Sequence, residues 1–397
     1  MRGVAEGRGE SAYLRSKYAE LPTFQRKVGT PSDPMAPGFA RIHRPTSPIN
    51  GGGKNFLLPH LSMEISHLKT VAALVKKSYN VENHPKGSPA MTACYSLLHF
   101  LVDGLCAWGM LGRFGGFDAI LSYNFCAFAL QLPLGAVLDR LGGRRMPMVF
   151  AAVGCALTVI GAFTSPVLLG IGNAAFHVGG GVDVIRDGGR CEKLGIFVAP
   201  GAMGLFFGGL LAGRALPILP VLVVMGLLLI PLGGRLENFP EPTKKAPVPL
   251  ILCCFSVVVL RSFVGFAVVF PWKTGALAFA AVAAVVLGKM AGGVLAVRFG
   301  GRRVTMVSLT AAAVCFAFGS IPVFGLCALV CFNMTMPLTL HALWRRFPAY
   351  PGTVFGSLTL ALFLGFLPSA FGIDLPIGGV LGSLLSLALL WKAVEDA

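Results

Sequence analysis

Charge is what this chain of 397 residues has little of: Asp, Glu, Lys and Arg make up 13% of it, against about 25% in an ordinary soluble domain. A chain so poor in charge cannot decorate a water-facing surface, and a soluble globular fold is excluded. Acidic residues are the scarcer sign, 17 against 33 basic ones, for a net charge of +16. No CxxC pair occurs among the ten Cys, and nine of them, Cys94, Cys106, Cys126, Cys155, Cys253, Cys254, Cys315, Cys327 and Cys331, fall inside apolar runs. That placement speaks against a disulfide framework and for small buried hydrophobes. No apolar run of spanning length precedes residue 91, too late for a cleavable signal peptide, so the first helix is expected to act as the insertion signal. A nucleotide loop, zinc-ligand spacing and a nucleophile elbow are all missing. The glycine-rich stretch Gly179–Arg190 lacks the lysine and hydroxyl of a P-loop. The chain therefore reads as no enzyme, with no cofactor and no metal.

What is present is hydrophobicity: 55% of the residues are apolar and the mean hydropathy is +0.75. From residue 91 onward, apolar runs alternate with short breaks. A bilayer core of about 30 Å takes about 20 helical residues, and the runs predict twelve spans: 92–112, 117–138, 146–163, 166–185, 195–213, 215–233, 249–271, 275–297, 304–321, 324–343, 353–371 and 375–392. The third and fourth are separated only by Thr164, Ser165 and Pro166. No strand-like alternation suggests a barrel.

Residues 1–90 are different. They are polar, rich in Pro, Gly and Ser, and carry 13 of the 33 basic residues. Such a stretch buries too little apolar surface to fold alone, and it reads as a basic, disordered cytoplasmic tail or as sequence upstream of a true start at Met91. Leu61, Ile65, Leu68, Ala72, Val75 and Tyr79 recur at helical spacing beside Lys69, Lys76 and Lys77, a pattern that suits an anionic membrane surface.

The remaining charges give the orientation. With the amino terminus inside, the inner breaks hold fifteen Lys and Arg: Arg140, Arg144, Arg145, Arg186, Arg190, Lys193, Arg235, Lys244, Lys245, Arg298, Arg302, Arg303, Arg345, Arg346 and Lys392. The outer breaks hold Arg113, Arg214 and Lys273. Excess positive charge marks the cytoplasmic side, so both termini are expected there, in the plasma (inner) membrane. This distribution also removes nucleic acid as an explanation of the net charge.

Residues 135–149, GAVLDRLGGRRMPMV, recur as 293–307, GVLAVRFGGRRVTMV, with eight of fifteen positions identical. Each copy follows an even-numbered span. The chain thus divides into six-helix halves, 91–233 and 249–397, inserted the same way round and joined by a linker at 234–248. Gly135, Leu138, Asp139, Arg140, Gly142, Arg144 and Arg145 match a loop signature by which the chain resembles the major facilitator superfamily of transporters over residues 91–397. The resemblance implies an all-α membrane protein of twelve transmembrane helices in two parallel-repeat halves, with this loop as a cytoplasmic latch. Asp139 can hold an arginine or a helix amino terminus of the other half. The second copy keeps Arg298, Gly300, Arg302 and Arg303 but has Val297 in place of the acid. Residues 195–209, GIFVAPGAMGLFFGG, are similar to a Gly/Pro motif of some antiporters. GNAAFH on the fourth span loosely resembles fosmidomycin-resistance-type exporters.

A charge at the bilayer centre costs roughly 2.5–3.5 kcal/mol on insertion scales, so such groups face protein or water. The candidates are His99 and Asp103 on the first span, Asn173 and His177 on the fourth, Arg261 on the seventh, Lys289 on the eighth and Asn333 on the tenth. The first two pairs are each four residues apart and share a helix face. The resemblance implies that the first, fourth, seventh and tenth spans line a central cavity. Asp103, His99 and His177 can exchange protons, and Arg261 offers a planar fork to a carboxylate or phosphate. The bland alternatives are an Asp103–Arg261 bridge, a His177 hydrogen-bonded to Asn173, a Lys289 that snorkels or pairs between helices, and interhelical amide bonds for Asn124 and Gln131. The expectation is a monomeric, proton-coupled, alternating-access transporter of a small organic solute, an anion before others. Efflux of amphipathic compounds and a non-cycling membrane sensor are the competing readings.

Overall fold

The computed structural model describes residues 89–187, 190–232, 248–373, 375 and 377–391. The amphipathic stretch 61–79, the tail up to residue 88, the linker up to residue 247 and Lys392 lie outside the described residues.

Among the described residues, twelve helical segments follow one another: α1 (Pro89–Gly112), α2 (Phe117–Leu141), α3 (Met146–Thr164), α4 (Pro166–Arg186), α5 (Cys191–Leu210), α6 (Ile218–Leu229), α7 (Val248–Ala267), α8 (Gly275–Phe299), α9 (Gly301–Ala317), α10 (Pro322–Arg346), α11 (Pro351–Ala370) and α12 (Gly378–Leu390). Nine of them, among the described residues, are long and apolar enough to cross a membrane, and the chain is a multi-pass membrane protein. The narrow break between the third and fourth spans is real: Ser165 alone is extended, and Pro166 starts α4 where its missing N–H would be unbonded anyway.

Prolines account for most departures from the expected boundaries. α6 has 12 residues, about 18 Å of helix, rather than the nineteen expected. Pro217 sits at its start, and Pro231 offers no N–H to the Leu227 carbonyl. α7 stops at Ala267, because Pro271 has no N–H for that carbonyl. The chain beyond it turns into an aromatic cluster, where Phe270 stacks on Phe316 at 6.2 Å and Trp272 Nε1 donates to Gly319 O at 2.7 Å.

Three spans are interrupted. α2 contains a π-turn at Phe125–Ala129, upstream of Pro133, and Gly170 of α4 packs against it at Cys126 and Tyr123. α5 is broken at Ala199, before Pro200. α10 is broken at Met334, before Pro337. π-turns and helix breaks of this kind recur at functional sites.

The pairing of helices repeats with a shift of six. In the first half α1 packs on α5 and α6, α3 on α4; in the second, α7 packs on α11 and α12, α9 on α10. Across the halves, α2 packs on α11 and α8 on α5, again related by six positions. α2 and α11 touch along their length: Phe117 meets Phe371 at 5.8 Å and Phe125 meets Phe363 at 5.6 Å. Towards the arginine-rich end, a Cβ on Gly135 would collide with the Gly352 carbonyl, and one on Gly352 with that of Gly135. Only a glycine pair allows this approach. α4 is the most enclosed span, with 83% of its apolar window buried.

Candidate functional site

The site begins with α1, where Tyr95, His99 and Asp103 stand one turn apart on a single face. α4 runs beside α1 and brings Asn173 and His177 to the same level. His99 Nε2 lies 3.1 Å from Asp103 Oδ2, His177 Nε2 lies 3.7 Å from Asp103 Oδ1, and the two Nε2 atoms are 2.8 Å apart. Asn173 Nδ2 donates to Asp103 Oδ1 at 3.0 Å and approaches Cys106 Sγ at 3.4 Å. His99, Asp103 and Asn173 are buried, and the His177 side chain is 12% exposed. Phe197 and Phe176 close over His99 at 5.1 and 6.2 Å between ring centres.

The break in α5 supplies the third wall. Pro200 has no N–H, so the Ile196 carbonyl loses its helical donor; Ser96 Oγ lies 3.2 Å from it and shares its one proton between that oxygen and the nearer Thr92 O at 2.7 Å. The next two carbonyls also take side-chain donors: Phe197 O faces His99 Nδ1 at 2.8 Å, and Val198 O accepts from Lys289 Nζ at 3.2 Å. Immediately beyond, a Cβ on Gly201 would strike Asp103 Oδ2 and His99 Nε2. Glycine at this position gives the cluster its room.

The tautomers follow from these partners. A carbonyl oxygen only accepts, so His99 Nδ1, facing Phe197 O, carries a proton. His177 Nδ1, 2.8 Å from Asn173 O, carries one for the same reason. If both rings are neutral, their Nε2 lone pairs point at each other and at a carboxylate, an arrangement that repels itself. One positive charge among the three groups, as a shared proton or as a metal ion, resolves it. His99, Asp103 and His177 could hold a metal, since their ligating atoms all lie within 4.8 Å of one another.

The other sequence-predicted groups make no hydrogen bond to this cluster among the described residues. The Asp103 carboxylate is held by His99, His177 and Asn173, so the bridge to Arg261 is not formed. Arg261 is 8% exposed, and its Nη1 has no hydrogen-bond partner among the described residues. Lys289 bonds Val198 O, so it joins α8 to α5 across the halves rather than snorkelling to the membrane surface. Asn333 is not brought to the cluster: its Nδ2 bonds Leu329 O within α10 at 2.8 Å. Asn124 and Gln131 likewise bond carbonyls of their own span, at Ile120 and Ala127, not a neighbouring helix. His177 bonds the Asn173 carbonyl rather than its amide.

At the arginine-rich end, Asp139 caps α11. Its Oδ1 accepts from Gly352 N at 2.8 Å, and its Oδ2 accepts from Thr353 N at 2.7 Å and Thr353 Oγ1 at 2.8 Å. Gly142, with φ 58°, and Gly143, with φ 82°, turn the chain there, while Arg140, Arg144 and Arg145 are exposed. Arg186 reaches over from α4 to Gly143 O at 3.3 Å. Tyr95 donates to the buried Asp183 at 2.7 Å, and Asp187 pairs with Lys193 at 2.7 Å. In the second copy Gly300 turns with φ 85°. Arg298 lies over Phe299 and Arg302 over Trp391, each at 5.3 Å, and Arg303 is exposed. Gly293, the counterpart of Gly135, packs on Cys191 O at the start of α5. Val297 is 54% exposed and offers no cap to that helix.

Sequence reasoning missed Ser96, the Phe197 carbonyl and Gly201. Pro200 inside an apolar run was the available signal, because it frees a carbonyl that some donor must satisfy.

Neither a protein-family model nor a curated protein sequence matches the chain. Among solved structures it is similar to the major facilitator transporter FucP in an outward conformation, at 13% identity and a TM-score of 0.52, covering 79% of this chain and 98% of that one. It is also similar to a variant of the E. coli fucose:proton symporter FucP, at 14% identity and a TM-score of 0.50, with the same coverage. Twelve helices, a pairing pattern repeated after six, and these two likenesses agree: the chain has the major facilitator fold.

Proposed function

We propose that the chain is a secondary transporter working by alternating access, coupled to protons and carrying a small organic anion. Arg261 carries this reading. A guanidinium that never loses its charge is buried within the helices with an open donor, and a solute carboxylate or phosphate is the partner chemistry provides for it. Lys289, whose ammonium bonds Val198 O beside the cluster, adds a second positive charge to the attraction. Coupling is supported by the two imidazoles that need a positive charge between them. The fold supports alternating access by analogy, since one neighbour of like architecture is a fucose:proton symporter. The excess of arginine and lysine in the inner breaks supports placing the repeated loops in the cytoplasm.

The test is uptake into proteoliposomes under an imposed pH gradient, with a panel of radiolabelled mono- and dicarboxylates, sugar phosphates and neutral analogues. Gradient-driven anion flux that falls at least tenfold in Arg261→Ala is expected. Dye efflux indifferent to Arg261 would replace this reading with amphipathic-compound export. Folded protein that moves no solute at all would favour a sensor.

A further inference from the structure

We infer that His99, Asp103 and His177 form a binding site for one exchangeable divalent ion of the first transition row, of the type of Zn2+, Fe2+ or Co2+. The inference goes beyond the transport reading and does not depend on it.

Three features of the cluster are those of a ligand set. First, both imidazoles present Nε2 inward while Nδ1–H is spent on a backbone carbonyl, Phe197 O for His99 and Asn173 O for His177, each at 2.8 Å. Metal-ligating histidines are oriented by such bonds to the outer ring nitrogen. Second, the carboxylate between them is itself fixed, by Asn173 Nδ2 at 3.0 Å on Oδ1. Third, the spacing fits. Bonds of about 2.0–2.2 Å separate the donors of one metal by roughly 3–3.5 Å. The distances here are 2.8, 3.1 and 3.7 Å, so a side-chain adjustment of a few tenths of an ångström would seat an ion.

Two nitrogens and one carboxylate select ions of intermediate softness over Mg2+ or Ca2+, which prefer all-oxygen shells. Three protein ligands leave coordination positions open for water or a solute. Cys106 lies next to Asn173 rather than in the set, so no thiolate is required. The setting also argues for exchange over permanence. Lys289, held on Val198 O next to the carbonyl that faces His99, brings a positive charge near the set, and a proton contends for the same lone pairs.

The full-length protein, purified in detergent without a polyhistidine tag and stripped with a chelator, should be titrated with Co2+ alone. One Co2+ per chain is expected, with visible d–d bands of a nitrogen and oxygen shell and no thiolate charge-transfer band near the ultraviolet. Zn2+ should displace it. His99→Ala and His177→Ala should each weaken binding at least tenfold, and Cys106→Ala should leave the spectrum unchanged. Absence of stoichiometric binding to the monodisperse wild-type protein would overturn the proposal. So would thiolate bands, or binding indifferent to both histidine substitutions in variants that remain monodisperse. Solute flux under a pH gradient is measured separately, so failure of metal binding and failure of the transport reading give different results.

Discussion

Asp139 and Thr353 are joined twice: one carboxylate oxygen accepts both the backbone N–H of Thr353 at 2.7 Å and its hydroxyl at 2.8 Å. The bond ties a loop of the first half to the first turn of α11 in the second, where a negative charge also meets the positive end of the helix dipole. A hydrogen bond to a charged group contributes about 1.5–3 kcal/mol. Asp139→Ala should therefore shift the pairing of the halves towards separation at this end by roughly tenfold or more. The buried Cys191, packed at the matching junction of α5 and α8, reports it. In a background whose other cysteines are replaced, its alkylation by a maleimide should accelerate by about that factor. An unchanged rate would mean that the cap does not hold the halves together.

Gly201→Ala would drive a methyl group into Asp103 Oδ2 and His99 Nε2. Overpacking of this kind costs about 1–3 kcal/mol, and here it also spreads the cluster. A lower melting temperature together with loss of the Co2+ spectrum is expected. Gly226→Ala is the control, because a Cβ there meets open space and helix propensity favours alanine by up to about 1 kcal/mol. Equal effects at the two positions would refute the account of Gly201.

Arg261→Met should separate stability from function. An apolar side chain of similar reach removes the desolvation cost of an unpaired buried charge, and the open Nη1 donor is removed with it. Thermal stability in detergent is expected to hold or rise while anion uptake is lost. A destabilised variant would reveal a structural partner for the guanidinium.

Ser96 and Pro200 should be coupled. Ser96→Ala removes the hydroxyl shared between Thr92 O and the Ile196 carbonyl, which has no helical donor in the native background, at a cost of about 1 kcal/mol. In a Pro200→Ala background the restored N–H can serve that carbonyl, and the same serine substitution should cost less. A double-mutant cycle by chemical or thermal unfolding measures the difference; strict additivity would refute the link.

The membrane class, the count of twelve spans, the duplicated loop and the arginine-rich end were all legible in the sequence. Each rests on local quantities: the length of an apolar run, the position of a charge, the return of a motif after 158 residues. Run length alone carried the sixth and seventh spans too far, through Pro231 and Pro271, the residues at which α6 and α7 lose their next helical donor.

Partnership was not legible. His99 and His177 are 78 residues apart, and no spacing rule joins them. The expectation of no metal rested on spacing, which can find ligands on one loop or one helix face but not on two helices. Nor could the sequence choose between Asp103 with Arg261 and Asp103 with the histidines. Lipid is as apolar as a protein core, so these helices are hydrophobic all round and their periodicity does not mark an inner face. Close approaches such as Gly135 with Gly352 set each helix's rotation, and a carbonyl freed by Pro200 fixes which side chain turns towards it. Those are contacts between distant parts of the chain, and only the packed bundle decides them.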